Sequence, residues 1–187
     1  MSTALVTPPI LMTAEEYARR PDPGHPEELV RGRIVPMSQP NRRHGQICTH
    51  AICLLGRFLE DHDLGHVLCN DVGVITERDP DTVRGADVVF YSYNLLPKGP
   101  LTGDYGPEVP ELVVEVRSPS DRWPKVHTKV AEYLNAGVTV VVVLDDESRT
   151  AILYFSDRAS LTLKPDDELT VPEILPGFAV AVRRFFE

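Results

Sequence analysis

Residues Glu111 to Asp121 read ELVVEVRSPSD and set an acid inside a β-branched run. From Leu112 to Val116, between Pro110 and Pro119, the composition is that of a buried strand about six residues long. An ionised Glu115 is costly on such a strand, because its desolvation must be offset by a cation, a metal or a set of donors. Alternation places Leu112, Val114 and Val116 on one face and Glu111, Val113, Glu115 and Arg117 on the other, which predicts one core face and one charged face. The SPSD end reads as a helix entrance. Ser120 or Asp121 is expected to act as the cap, with Pro124 in the first turn and Gly137 terminating the helix.

On that helix Val126, Val130, Tyr133, Leu134 and Gly137 define an inward arc, and Lys129 lies on its flank, about 60° from Val126. A lysine there can keep its stem on the core and turn its amine into a neighbouring pocket, or snorkel to solvent. Tyr133 is expected in the core. Val138 to Leu144 follows as a five-valine buried strand, with shorter strands at 151–155 and 160–163 completing a hairpin before the tail from Leu175 to Phe186.

Upstream, RGADVVF (Arg84 to Phe90) repeats the anomaly, since Asp87 opens the apolar run Val88, Val89, Phe90. Two such strands side by side would bring Asp87 and Glu115 to one ion. Phosphodiester hydrolysis with Mg²⁺ needs such a pair, with waters and a phosphate oxygen filling the other octahedral positions. It also needs a cation to orient the attacking water and balance charge on the phosphate. Lys129 is the better candidate for that role, and Arg117, two residues beyond Glu115, is the other.

The remaining organisation is that of a single domain at 12–187, preceded by a flexible Pro-rich arm at 1–11. Thr13 and Glu16 form a capping box for a short helix ending before Pro21. Strands at 28–30 and 33–35 flank Arg31-Gly32 as a tight hairpin. A helix is predicted over 45–61 from the spacing of Ile47, Ala51, Leu54, Leu55 and Phe58, then strands at 67–70, 72–76 and 86–91. The span 93–110 is too rich in Pro and Gly for a hairpin turn and is expected to form a surface loop.

A hydrophobic fraction of 42% with 25% charged residues fits a soluble globular protein. No apolar run long enough to span a membrane and no signal-peptide pattern at the start are visible, so a cytoplasmic location is expected. Cys48, Cys53 and Cys69 are odd in number and argue against a disulfide framework. His44, Cys48, His50 and Cys53 match no familiar zinc spacing on one helical face, so buried thiols and surface imidazoles are expected. The net charge of −9 excludes a general nucleic-acid coat, but leaves room for local basic sites at Arg42, Arg43 and His44 and at Arg117, Arg122, Lys125 and Lys129. The acidic runs Asp145-Asp146-Glu147 and Asp166-Asp167-Glu168 read as solvated surface.

EELVRGRIVPMS, the His44 helix, RGADVVF, ELVVEVRSPSD, TKVAEYLNAGV and the final LPGFAV occur in an order and spacing that resemble the PD-(D/E)XK nuclease superfamily. More closely, the chain resembles the Uma-two family of small bacterial restriction-endonuclease-type proteins, over nearly its whole length after residue 11. The resemblance implies an α/β fold with a restriction-endonuclease-like core, a central mixed β-sheet flanked by α-helices and extra β-hairpins. It implies Asp87 and Glu115 as ligands of Mg²⁺ or Mn²⁺, and a lysine moved from two places after the acid onto the next helix, here Lys129. Ala86 departs from the family's proline before the aspartate. Arg117 occupies the superfamily's usual lysine position, where an always-protonated guanidinium cannot act as a base. Glu28 matches the family's glutamate in the first hairpin, as a third acid near the ion or as a surface salt bridge. His44 matches a family histidine, which a helix-start hydrogen bond would also explain.

The expected activity is divalent-metal-dependent endonucleolytic hydrolysis, of DNA rather than RNA, by a homodimer with two sites for two strands. The alternatives are a catalytically inactive nuclease-fold binding module and a metal-dependent hydrolase of small phosphate esters, which an acidic surface suits better than long duplex DNA.

Overall fold

The computed structural model describes residues 11–101, 105–118 and 121–187. The expected arm at 1–11, apart from Leu11, and Pro119 and Ser120 of the SPSD turn, lie outside the described residues. Thr13 caps α1 (Ala14–Ala18) in the expected capping box with Glu16. Strands β1 (Glu27–Val30) and β2 (Arg33–Pro36) then form a hairpin, in which Arg31 (φ 49°) and Gly32 (φ 70°) adopt the left-handed backbone of a tight turn. Helix α2 runs from Arg42 to Asp61 and starts three residues earlier than its apolar spacing indicates, because Asn41 caps it by accepting from the His44 amide.

The two strands expected at 67–70 and 72–76 are one strand, β3 (Gly65–Glu77), kinked by a bulge between Cys69 and Val72 where Asn70 (φ 81°) and Asp71 (φ 53°) turn left-handed. β3 lies antiparallel along β4 (Thr82–Ser92). β5 (Leu112–Arg117) connects through α3 (Trp123–Ala136) to the parallel strand β6 (Val140–Asp145), and Gly137 (φ 109°) ends α3 as expected. β7 (Thr150–Phe155) and β8 (Leu161–Leu163) complete the sheet. β9 (Glu168–Thr170) then pairs with β10 (Ala179–Ala181) of the tail, and a 3₁₀ turn, Val182–Phe185, follows.

Among the described residues, eight strands form one mixed sheet in the order β2-β1-β4-β5-β6-β7-β8, with β3 on β4. Ile47, Ala51, Leu54 and Leu55 of α2, together with Phe178, Val182 and Phe185, pack on Val88, Phe90, Val114, Val116, Val142 and Leu144. Val130 and Tyr133 of α3 pack on Val89, Val113, Val141 and Val143. This corrects the division of the β5 strand into a core face and a charged face. Both faces are covered, because a parallel β5–α3–β6 crossover places a helix on the side that alternation alone would leave wet.

The position of the chemistry follows from a fork in the sheet. On the edge away from β3, β4 pairs with β1 at Leu29–Val83 and with β5 only at Val88–Val114, Val89–Val113 and Phe90–Leu112. Between those pairings lie Arg84, Gly85, Ala86 and Asp87. Backbone groups in that gap need partners other than a neighbouring strand.

Candidate active site

Side chains fill the fork. The Val116 amide, next along β5 after the ladder ends, donates to Asp87 Oδ2 at 2.7 Å, so the carboxylate takes the place of a strand partner. Gly85 is bonded on both sides: its amide donates to Glu28 Oε1 at 3.1 Å, and its carbonyl accepts from Lys129 Nζ at 2.9 Å and the Tyr133 hydroxyl at 3.3 Å. Gly85 also permits close approach, since a Cβ there would sit 3.2 Å from that of Asp71 on the β3 bulge.

Glu115 is met by two donors from α3, Lys129 Nζ to Oε2 at 2.9 Å and the Tyr133 hydroxyl to Oε1 at 2.8 Å. Lys129 Nζ is also 3.4 Å from Glu28 Oε1. Glu28 is buried, with Arg84 Nη1 donating to its Oε2 at 2.7 Å while the same guanidinium grips Glu132. Of the two readings open for each residue, then, the inward one holds: Glu28 is no surface salt bridge and Lys129 does not snorkel to solvent. Each turns inward because the unpaired backbone at Gly85 and the buried Glu115 supply partners there. Tyr133 is a core residue by burial, yet its hydroxyl is a working donor to the acid.

Burial pushes the Glu115 carboxyl up to about 7, with nearby Asp87 adding to the rise and Lys129 opposing it. Burial works against the Lys129 charge, but Glu115, Glu28 and Asp87 together outweigh it and hold the amine protonated beyond its ordinary value. One ammonium is thus shared among three carboxylates. Asp71 faces the same cleft, and burial and Asp87 raise its carboxyl too.

His44 sits on the first turn of α2 with Nε2 3.3 Å from Asp87 Oδ2 and Nδ1 3.5 Å from Cys48 Sγ. The bond to Asp87, then that to Cys48, lifts the imidazole to about 11 against the opposing effect of burial. The reading that His44, Cys48, His50 and Cys53 offer no familiar ligand pair on one helical face is corrected for His44 and Cys48, which are four apart and lie one above the other. The expectation of buried thiols fails as well, for Cys53 and Cys69 are exposed and Cys48 is only partly buried.

Arg117 is drawn elsewhere. Its Nη1 donates to Asp145 at 2.6 Å and Glu147 at 3.0 Å, its Nε donates to the Asp121 carbonyl at 3.2 Å, and its guanidinium stacks 4.7 Å from the Trp123 ring. Asp145 is therefore buried and paired, and Asp146 accepts from Arg43 at 2.9 Å, so this acidic run is no mere solvated surface. The Asp121 carboxylate is not the α3 cap either. It accepts from the Ser118 amide and hydroxyl, closing its own turn, while Arg122, the residue before α3, makes no side-chain cap. Pro124 explains why none is required, since it has no amide to satisfy.

These groups line a cleft of about 1090 Å³, with Glu28, Asp71, Asp87, Glu115 and Lys129 inside and the exposed Arg122 and Lys125 on α3 at its border. Tyr105, from the expected 93–110 loop, lines it too. Sequence pattern alone does not single out Asp71 or Arg84, and sets Cys48 aside on its spacing. Arg84 is marked by its place in RGADVVF, but Asp71 carries no local signal, because only the bulge turns it toward Gly85.

A family model described as "Putative restriction endonuclease", Uma2, matches residues 14–183. The chain belongs to the Uma2 family. The fold is similar to that in a crystal structure of a "putative nuclease belonging to DUF820" from Anabaena variabilis, with a TM-score of 0.80 at 16% identity, covering 94% of this chain and 97% of that one. No curated protein matches the chain. The Uma2 fold of this chain is the restriction-endonuclease-like α/β architecture expected from the sequence, a large mixed sheet between helices. Among the described residues, no helix is long and apolar enough to cross a membrane.

Proposed function

We propose that this Uma2 chain is a divalent-metal-dependent endonuclease whose metal ligands are Asp87 and Glu115 and whose cationic residue is Lys129. The observation that carries the reading is the surplus of acid gathered around the fork. The buried Glu28, the partly buried Asp87, Glu115 and Glu132 and the exposed Asp71 face Arg84, Lys129 and His44, and burial raises the Glu115 and Asp71 carboxyls, with Asp87 beside them adding to the rise. A hard dication relieves that repulsion, and carboxylate oxygens opening on a cleft are the donors Mg²⁺ or Mn²⁺ prefers. Membership of a restriction-endonuclease-type family, and a fold shared with the Anabaena nuclease-type protein, agree with this chemistry.

When bound, the metal would supply Lewis acidity and an activated water. The chain's own residues do the rest. Tyr133 and Lys129 fix the two oxygens of Glu115, and the Val116 amide fixes Asp87. Lys129, held protonated, stabilises charge on the transferring phosphate rather than removing a proton. Arg84 and Glu28 hold the Gly85 amide and the far side of the Lys129 amine. Arg122 and Lys125 offer phosphate contacts at the border of the cleft.

The test is cleavage of duplex DNA, single-stranded DNA, RNA and small phosphodiesters with Mg²⁺ or Mn²⁺, by wild type, Asp87→Ala and Glu115→Ala, with folding of each variant checked by circular dichroism. Metal-dependent cleavage of DNA, lost in both folded variants, is expected. Equal cleavage by all three proteins would overturn the assignment. Turnover of small esters alone would replace the substrate, and metal binding without turnover of any substrate would make the chain a binding module.

A further inference from the structure

The α2 side of Asp87 presents two donors that the proposed carboxylate centre does not use, His44 and Cys48. One nitrogen of His44, Cys48 Sγ and one oxygen of Asp87 all lie within 4.8 Å of one another. His44 and Cys48 share a helix face one turn apart on α2, which is held rigid against the sheet by Ile47 and Ala51 in the core. Asp87 is held from the other direction by the Val116 amide. The 3.3 Å between His44 Nε2 and Asp87 Oδ2 is close to the spacing of two ligands on one tetrahedral ion with bonds of about 2.0–2.2 Å. Sγ lies 3.5 Å from the other ring nitrogen, Nδ1, so sharing one ion with Asp87 requires side-chain rotation at His44 or Cys48.

We propose that His44, Cys48 and Asp87 form a binding site for a borderline-soft transition metal such as Zn²⁺ or Co²⁺, separate from the hard-cation centre of Asp87 and Glu115 and joined to it through Asp87. A thiolate and an imidazole select such ions over Mg²⁺. Binding releases the Cys48 thiol proton and any proton on the His44 ring to solvent, and no electron is transferred. Three protein ligands leave a fourth position for water or a phosphate oxygen facing the cleft, the pattern of open rather than structural zinc sites. His44 and Asp87 both line the cleft, so an ion between them is reachable from it.

The experiment uses Co²⁺ as a spectroscopic probe on the full chain. Cys53 and Cys69 are exposed and would bind Co²⁺ adventitiously, so both are changed to serine, leaving Cys48 as the one thiol in the sequence. The expected result is a thiolate-to-cobalt charge-transfer band that saturates at one ion per chain, is bleached by Zn²⁺ and survives excess Mg²⁺. His44→Gln should weaken Co²⁺ binding about tenfold or more. Cys48→Ser should remove the band. On the unmodified protein, Zn²⁺ should protect Cys48 from alkylation, a readout that needs no variant. Absence of the band while Cys48 is present, a band unaffected by His44→Gln, or failure of Zn²⁺ to protect Cys48 would each overturn the site. Glu115→Ala separates the two centres, since it should abolish nuclease activity and leave the cobalt band in place.

Discussion

Arg117 and Asp145 are each only 7% exposed in their side chains, 2.6 Å apart, with Ser148 donating to the other oxygen of Asp145. Removing one partner strands a desolvated charge, so Asp145→Ala should destabilise the fold by about 3–5 kcal/mol in urea titrations. The low end of that range applies because Glu147, also bonded to Arg117, is 65% exposed and can take over part of the pairing. Burial alone would raise the Asp145 carboxyl, but Ser148 and Arg117 outweigh it and hold the carboxyl below its ordinary 3.8. A depressed folded value contributes stability above that pH and loses it as pH falls through the folded value. Wild type should therefore lose stability more steeply than Asp145→Asn on acidification below about pH 4. At Lys129 the expectation differs. Lys129→Met should keep the fold but lower kcat about a hundredfold or more at saturating metal, the scale of losing a positioned charge at the transition state. An unchanged kcat would assign Lys129 to structure alone. These two cations show what the sequence could rank. Lys129 on a helical flank and Arg117 on the strand of Glu115 both suit the role by position, and spacing could not tell that Asp145, at the end of β6, would sit opposite Arg117 in the parallel register.

Helix α3 is the element that carries donors to the acid, and its C-terminal end is set by a residue with no part in the site. Gly137 holds the left-handed conformation that closes its last turn, so Gly137→Ala should cost about 1 kcal/mol in thermal unfolding and leave catalysis per folded molecule unchanged. Tyr133→Phe removes the donor to Glu115 Oε1 and a weaker bond to Gly85. It should cost about 1 kcal/mol and weaken activity more than stability, read as a fall in kcat with KM unchanged. The same element shows why periodicity reads some features and not others. The apolar arc of α3 and its glycine stop are local, and both are legible in the sequence. The Asp121 turn is not, because a short acid can close its own turn as readily as it caps a helix, and Pro124 removes the need for a cap. Composition divides β3 at Asn70-Asp71 for a related reason, since a bulge and a strand break look alike in sequence.

At the scale of the molecule, cutting both strands of a duplex requires two sites, so a mass near twice the chain's 20.8 kDa is expected by light scattering for a duplex-cutting enzyme. Edge strand β2 ends beside exposed Val35 and Met37, and β8 carries exposed Leu161, which leaves apolar side chains near both edges of the sheet. A strict monomer that only nicks duplex would contradict the dimer. Removal of divalent ions by chelation should abolish cleavage and lower resistance to urea only by the mass-action contribution of the bound ion, without unfolding the protein, because the core around Val89, Val113 and Val141 closes without the site. The sequence by itself determined the helices and most strands, the two misplaced acids Asp87 and Glu115, and the family, because periodicity, turn chemistry and motif order are properties of neighbouring residues. Tertiary structure alone decided the fork in β4 that frees Gly85, the turn of Asp71 into the cleft, the withdrawal of Arg117 and the meeting of His44 and Cys48 with Asp87. Each of those depends on register between strands or on helix docking, where chain segments far apart in sequence must satisfy one another's unpaired backbone and buried charge.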